Sequence, residues 1–352
     1  MMAAPQTRES PSARRSGVRK SARAGRTVAL VLVTASLGVL LGPAALADTN
    51  ALLADASRLF DAGNYQQAAN VLNAARGQKA QDAPLHYWLA RCYFELRQFD
   101  LAAASAEKSV ELEPNNSDYR LWLGRAYGRK AEHAGGFSAL SSARKSRHEF
   151  EEAVRLDPAN LHAQRDLIEF YFRAPGIVGG GEDKARRQIQ QLEAVDAVEA
   201  HLARADFLMH KGKPEQAEAE CRQVLEAKPT RIGPYIEVAD FYRRRNDAVR
   251  MEEAVEAAAR VDASDRRLGY YRGVVRVLAG NRLDEAEQLL KNYLSSVPRH
   301  SDLPSHAAAR EWLGRLYEQQ GQRQAAAEQY RVALKIDPRS RVARDALRRV
   351  SK

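Results

Sequence analysis

The sequence predicts an all-α chain: a solenoid of about eight helix–turn–helix repeats closed by a C-terminal capping helix. Three observations carry that prediction. The 352 residues are 45% hydrophobic but only 7% aromatic, with 21 glycines and 13 prolines, a balance that favours helices over a many-stranded sheet. One pattern of small and aromatic residues recurs about every 34 positions across residues 49–340, and such self-similarity marks a repeat architecture. Pro114, Pro158, Pro229, Pro298 and Pro338 close successive copies, because proline cannot continue a helix.

Taken in order, the chain opens with a segment that is not part of the repeat. Residues 1–47 hold seven basic side chains (Arg8, Arg14, Arg15, Arg19, Lys20, Arg23 and Arg26) and one acid, Glu9. An apolar run follows from Thr27 to about Leu41, then the small-x-small triplet Ala45-Leu46-Ala47. This is the order of a secretory signal, with Asp48 as the expected mature start. The alternative is a membrane anchor that keeps this segment, since Thr27–Ala47 carries no charge and approaches a bilayer-spanning length. The leader accounts for +6 of the formal net charge of +10, and the last fourteen residues account for +5, so residues 48–338 sum to −1. A near-neutral body lacks the basic face that nucleic acid requires, and nucleic acid is not an expected partner. Cys92 and Cys221 lie on distant repeats and are expected as unbridged core residues.

The repeat is visible in its skeleton. Residues 83–116 carry Leu89, Ala90, Tyr93, Phe99, Ala102, Val110 and Pro114; the copy before them carries Ala56, Leu59, Gly63, Tyr65, Ala68 and Leu72. Later copies give Leu123, Gly124, Tyr127, Phe150, Ala153 and Pro158, then Ala205, Leu208, Gly212, Ala217 and Pro229. The clearest reads Trp312, Leu313, Gly314, Tyr317, Gly321, Ala326, Tyr330, Ala333, Ile336 and Pro338. Copies are placed at 49–82, 83–116, 117–160, 161–197, 198–231, 232–265, 267–300 and 307–340. Small residues let paired helices approach and aromatics fill the space between neighbours. Stacking buries what one unit cannot bury alone. Residues 341–352 form a basic tail in which Ser340 is a ready N-cap and Val342, Ala346, Leu347 and Val350 share one side, the expected capping helix.

This skeleton resembles the tetratricopeptide repeat, a 34-residue helix–turn–helix unit. The resemblance covers residues 49–340, nearly the whole of the expected mature chain. It implies a right-handed superhelix with a concave groove lined by the first helix of each unit, and a role in binding proteins or peptides without catalysis. The family's carboxylate clamp uses lysine and asparagine at set groove positions. Those positions hold Leu53 and Ser57, then Tyr87 and Arg91, so that role is not implied.

Three departures from the period stand out. Tyr127 to Pro158 spans 31 residues where Tyr93 to Pro114 spans 21, an insertion containing Gly135-Gly136-Phe137. Tyr171 to Ala185 spans 14 where Tyr93 to Ala102 spans 9, with Ala174-Pro175-Gly176-Ile177-Val178-Gly179-Gly180 in between. This turn is similar to one in exported bacterial repeat proteins and implies no activity. Both insertions fall at intra-repeat turns, so they are expected on one edge of the superhelix. There Phe137, Leu140, Ile177 and Val178 either form a ridge for a partner or pack the insertions on each other. The third departure is Pro298 to Gly314, 16 residues instead of 10.

The sequence contains no catalytic or cofactor pattern. Gly179-Gly180-Gly181 is followed by Glu182-Asp183 rather than the Lys-Ser/Thr of a phosphate loop. None of the eight histidines sits in an H-E-x-x-H spacing, and neither cysteine in a Cys-x-x-Cys pair. No enzyme activity, metal or cofactor is expected. The groove is then the candidate surface, with Tyr87, Arg91, Phe94, Arg125, Arg129, Arg165, Glu169, Asp206 and Asp240 facing inward, and Arg315 in the last unit. It reads as basic and aromatic toward the N-terminal half and acidic in the middle, able to hold an extended peptide or helix with arginines taking a carboxylate. The expected function is an exported scaffold of the cell envelope, periplasmic or secreted, binding a protein or peptide. Alternatives are a membrane-anchored assembly factor and a module for an envelope carbohydrate. Against the last, Trp88, Trp122 and Trp312 fall at repeat-core positions.

Overall fold

The computed structural model describes residues 43–77 and 79–351. The basic stretch and apolar run of the expected leader lie outside these residues. Among the described residues there are seventeen α-helices and no strand. The first three pairs are Pro43–Asp61 (α1) with Tyr65–Arg76 (α2), Ala83–Glu95 (α3) with Phe99–Leu112 (α4), and Ser117–His133 (α5) with Gly136–Leu156 (α6). They continue with Leu161–Arg173 (α7) and Glu182–Glu193 (α8), Ala197–His210 (α9) and Pro214–Glu226 (α10), and Ile232–Arg244 (α11) and Ala248–Val261 (α12). Leu268–Ala279 (α13) with Leu283–Ser296 (α14) and His306–Gln319 (α15) with Arg323–Ile336 (α16) complete the series, and Arg341–Val350 (α17) caps it. No described helix is long and apolar enough to cross a membrane.

Local chemistry sets the boundaries. Side chains of Asp82, Asn116, Asn160, Asp196 and Ser305 accept hydrogen bonds from the first free N–H groups of α3, α5, α7, α9 and α15, the capping that a helix start requires. Helices α4, α6, α10, α14 and α16 each stop two or three residues before the proline that closes the unit. Left-handed residues recur at 34-residue intervals in the intra-repeat turns, Gly63 and Arg97, then Gly212, Asn246 and Gly280. The interval breaks at the two units that carry insertions and again in the last unit, where Gly321 follows Gly280 by 41 residues.

Each helix packs on the next, and every odd-numbered helix also touches the next odd-numbered one. The odd helices therefore make a continuous inner wall and the even helices an outer layer, giving the solenoid its concave face. Within a pair, the small residue on the first helix makes room for a ring on the second: a Cβ at Gly124 would meet Phe150 at 2.6 Å, and one at Gly314 would meet Tyr330 at 2.5 Å. Cys92 and Cys221 are buried and unbridged, and burial pushes both thiols up to about 12. On α17 it is Ala343 and Ala346 that are buried, while Val342, expected on the packed side, is exposed. Leu347 and Val350 do pack against the core, and Arg349 turns back to pair with Glu318 at 2.8 Å.

Candidate functional site: the concave groove

At the N-terminal wall, α3 presents Tyr87, Arg91 and Phe94 and α5 presents Trp122, Arg125 and Arg129, each set along one helical face. The arginines lie on rings. The Arg91 guanidinium carbon is 4.4 Å from the centroid of Trp88, 4.6 Å from Phe60, 5.1 Å from Trp122 and 5.6 Å from Tyr87. Its Nε is buried without a hydrogen-bond partner, so ring faces replace carboxylates as the surroundings of this charge. Arg125 stacks on Trp122 at 5.1 Å and donates to Asp166 at 2.6 Å. Arg129 stacks on Phe99 and pairs with Glu132. The rings form a continuous cluster through Tyr87–Tyr119, Tyr87–Trp122 and Phe94–Trp122 contacts. Trp122 is buried, whereas Trp88 and Trp312 are half-buried at the inner wall with Arg91 and Arg315 over them. A sugar would need those ring faces.

The middle of the groove is a chamber of about 910 Å³. Its organising group is Arg165 on α7, which donates to Glu199 (2.9 Å) and Asp206 (2.9 Å) on α9 and to Glu237 (2.8 Å) on α11. Burial works against the Arg165 charge, but Glu237, Asp206 and Glu199 outweigh it and push the guanidinium pKa up. The carboxyls of Glu237 and Glu169 are pushed up by burial, against the pull of Arg165 and Arg173 respectively. Glu169 pairs with Arg173 at 2.7 Å, and Asp240 with Arg243 at 2.7 Å. Three guanidinium groups line the chamber (Arg165, Arg231, Arg267) against seven carboxylates, Asp302 included. The acidic middle matches the sequence reading. The arginines differ from it: Arg125, Arg129 and Arg165 are already paired with the chain's own carboxylates, so they do not stand free to take one from a partner.

A third feature closes the groove. The nine-residue link between α14 and α15, Val297–Ser305, does not stay between its helices but returns to the first two repeats. Pro298 fits the notch at Gly63, where a Cβ would come within 2.7 Å of the Pro298 Cβ and φ is +76°. The Tyr65 hydroxyl donates to the Arg299 carbonyl. The His300 ring stands edge-on to Phe60 at 5.2 Å and 87°, and Glu95 on α3 accepts from the Ser301 N–H (3.1 Å) and Oγ–H (2.5 Å). At its base, Tyr293 donates to the Pro304 carbonyl at 2.6 Å, and His306 Nε2 lies 2.8 Å from the Val297 carbonyl. Ser301 and Asp302 line both the central chamber and a smaller cavity of about 470 Å³ bounded by Phe94, Trp122, Arg125 and Arg129. This strap therefore divides the groove.

Models of one family match the chain at residues 59–121 and at 180–232 and 271–341, all described as tetratricopeptide repeat. The chain carries tetratricopeptide repeats. Its solenoid is similar to solved structures at low identity. A thermophilic tetratricopeptide-repeat protein of Thermus thermophilus shares 21% identity over 55% of this chain and 97% of that one, with a TM-score of 0.45. A tetratricopeptide-repeat protein from Parabacteroides merdae shares 14% over 86% and 98%, at 0.43. PilW, a type IV pilus biogenesis factor, shares 18% over 66% and 98%, also at 0.43. The search of curated proteins gave no match. Of the two internal stretches left unmatched, 122–179 contains both repeat insertions and 233–270 contains neither.

The second of those insertions packs on α6. Arg144 of α6 donates to the Ile177 carbonyl at 3.2 Å, and Arg147 lies across Gly179, whose φ is +97°. The turn is knotted by Gly181 N–H to Tyr171 C=O at 2.7 Å and by Lys184 Nζ to Gly179 C=O at 2.9 Å. Of the four expected ridge residues only Phe137 (91% exposed) and Ile177 (64%) face solvent; Val178 is buried at 3% and Leu140 is half-buried. Val178 is therefore a core residue of the tetratricopeptide solenoid, because the 3₁₀ turn Gly176–Val178 folds it under α6.

Among the inferred groove residues, Phe94, Arg125, Arg129, Glu169, Arg165, Asp206 and Asp240 line its cavities. Tyr87 and Arg91 sit beneath as the floor of the aromatic cluster, and Arg315 lies in a separate cavity near α17. Sequence reasoning missed Asp166, Glu237, Glu95 and the strap. Arg125–Asp166 and Arg165–Asp206 are both 41 residues apart, a recurrence that a search for complementary charges on adjacent inner helices would find.

Proposed function

We propose that this chain is an exported scaffold of the cell envelope that holds a protein or peptide partner in its concave groove. The observation that carries the reading is the groove itself: a chamber of about 910 Å³ walled by three consecutive inner helices, polar and acidic, opening beside an aromatic shelf. Interaction with proteins is the general role of tetratricopeptide repeats. The excess of carboxylates selects a partner segment bearing lysine or arginine, steered by the field of the chamber. The N-terminal order of basic stretch, apolar run and small-residue triplet supports export.

The test is capture from envelope extract by residues 48–352, beside a variant with Asp206→Asn and Asp240→Asn whose helicity is unchanged. The expected result is a partner retained by the parent chain, released by about 0.3 M salt and lost from the variant. A partner bound equally by both sinks the chamber as the binding surface. Fractionation of cells expressing the full chain, with the mass of the product, tests export and cleavage before Asp48.

A further inference from the structure

We infer that the strap Val297–Ser305 is an internal ligand, and that the N-terminal wall it covers is a recognition site for an extended peptide segment carrying a ring followed by a hydroxyl residue. This rests on the reading of the groove as a peptide-binding surface and adds where the backbone is held and what competes for it. The contacts are those by which a protein reads a peptide. A hydroxyl donor meets a main-chain carbonyl (Tyr65 to Arg299), a carboxylate accepts a main-chain N–H and the adjoining hydroxyl (Glu95 to Ser301), and a ring receives a ring (Phe60 and His300). A glycine notch receives a proline (Gly63 and Pro298).

All four recognising residues belong to repeats one and two, and all four recognised ones lie more than 200 positions later in the sequence. The repeat does not need the strap to span from α14 to α15: other junctions between units manage with six fewer residues between the closing proline and the next helix's small residue. The extra length is spent on reaching across the groove. The His300 side chain is only 14% exposed while its neighbour Asp302 remains 69% exposed in the lumen, so the strap is anchored by its ring and hydroxyl and leaves its carboxylate to the cavity. A partner segment offering the same ring and hydroxyl would displace it and join the two cavities that it separates. Being tethered, the strap competes at an effective concentration in the millimolar range, so it sets a threshold for partner entry.

The experiment uses the expected mature chain and a strap-opened version in which Arg299→Gly, His300→Ser, Ser301→Gly, Asp302→Ser and Leu303→Gly are combined. A synthetic peptide of residues 297–305 is titrated to millimolar concentration while the indole resonances of Trp88 and Trp122 are followed. The expected result is saturable binding to the opened chain, at least about tenfold tighter than to the parent and lost when Tyr65→Phe and Glu95→Ala are added. A peptide with the His-Ser pair replaced by Ala-Ala should not bind. Equal binding to parent and opened chains, or none to an opened chain of unchanged helicity, overturns the proposal. In either case the strap is a structural clasp. An opened chain that binds the peptide but captures nothing from envelope extract leaves this site standing and sinks the functional reading instead.

Discussion

Arg91 and Arg165 occupy the same inner wall two repeats apart and are held by opposite means. Arg91 is boxed by four rings and, among the described residues, forms no ion pair; Arg165 is gripped by three carboxylates from two further helices. The difference follows from what the neighbouring repeats supply. Repeats one to three bring Phe60, Tyr87, Trp88 and Trp122 to the wall, while repeats five and six bring Glu199, Asp206 and Glu237. Ring faces need no counter-ion and tolerate salt. A charge cluster is screened by it and is weakened when its central cation is removed. One groove thus has an apolar shelf that takes shape and an acidic chamber that takes charge.

Breaking the chamber should have the largest effect. Arg165→Met leaves Glu237 without its cation and Glu199 and Asp206 with only the longer contacts to Arg231 (3.3 Å) and Arg244 (3.7 Å), and is expected to cost about 2–4 kcal/mol, loosening α7, α9 and α11 first. Hydrogen exchange resolved by helix checks this, and faster exchange confined to α1–α4 would refute it. Breaking the shelf should cost less: Arg91→Ala removes stacking on four rings and is expected to cost about 1–2 kcal/mol. The comparison sharpens in salt. Raising sodium chloride from about 0.05 to 0.5 M should shrink the Arg165→Met deficit, measured by urea midpoint, and leave that of Arg91→Ala unchanged. A third change acts where neither region is involved. Gly179→Ala places a side chain at φ +97° and into the Arg147 guanidinium. It should cost about 1 kcal/mol through backbone strain, with exchange quickening only at the α7–α8 turn.

The repeat frame is legible because each unit satisfies the same local rules: a cap, a small residue facing a ring, a left-handed turn, a closing proline. Gly124 against Phe150 and Gly314 against Tyr330 are that rule in atoms. The pairing of groove charges is not legible, since Arg165 meets Glu237 across 72 residues and only superhelical curvature decides which inner helices face each other. The strap announces itself as a spacing anomaly, but its destination does not. Phe60 and Glu95 carry no local sign that a segment from the far end of the chain will lie on them, because closure of the solenoid is a property of the summed rotation per repeat. Val178 is misplaced by sequence reasoning for a related reason: an apolar residue in a loop reads as exposed, and the folding of that loop under α6 depends on Arg147 and on the glycines around it.

The smallest expected effect lies in the strap's response to acid, and it has two opposed parts. Burial holds His306 below the ordinary histidine value, with Arg299 and Arg310 adding to it against the hydrogen bond to Val297. The native state therefore prefers the neutral ring. The stability this contributes is complete above about pH 6.5 and is lost as pH falls through that value toward the lowered one. Glu95 behaves in the other sense. Burial pushes its carboxyl up, against the Ser301 hydrogen bond and His300, while Asp302 pushes it further. Its native form binds a proton more readily than the unfolded one, so its contribution is complete at low pH and declines as pH rises through the raised value. Acidification should thus loosen the strap at its foot near α15 while relieving the buried charge at its tip on α3. Exchange of the Val297 amide, measured at pH 7.5 and 5.5 and corrected for intrinsic rate, should show protection falling at the lower pH. Protection of Ser301 should hold, and His306→Gln should abolish the change at the foot alone. A strap that loosens uniformly would mean that its two anchors act as one.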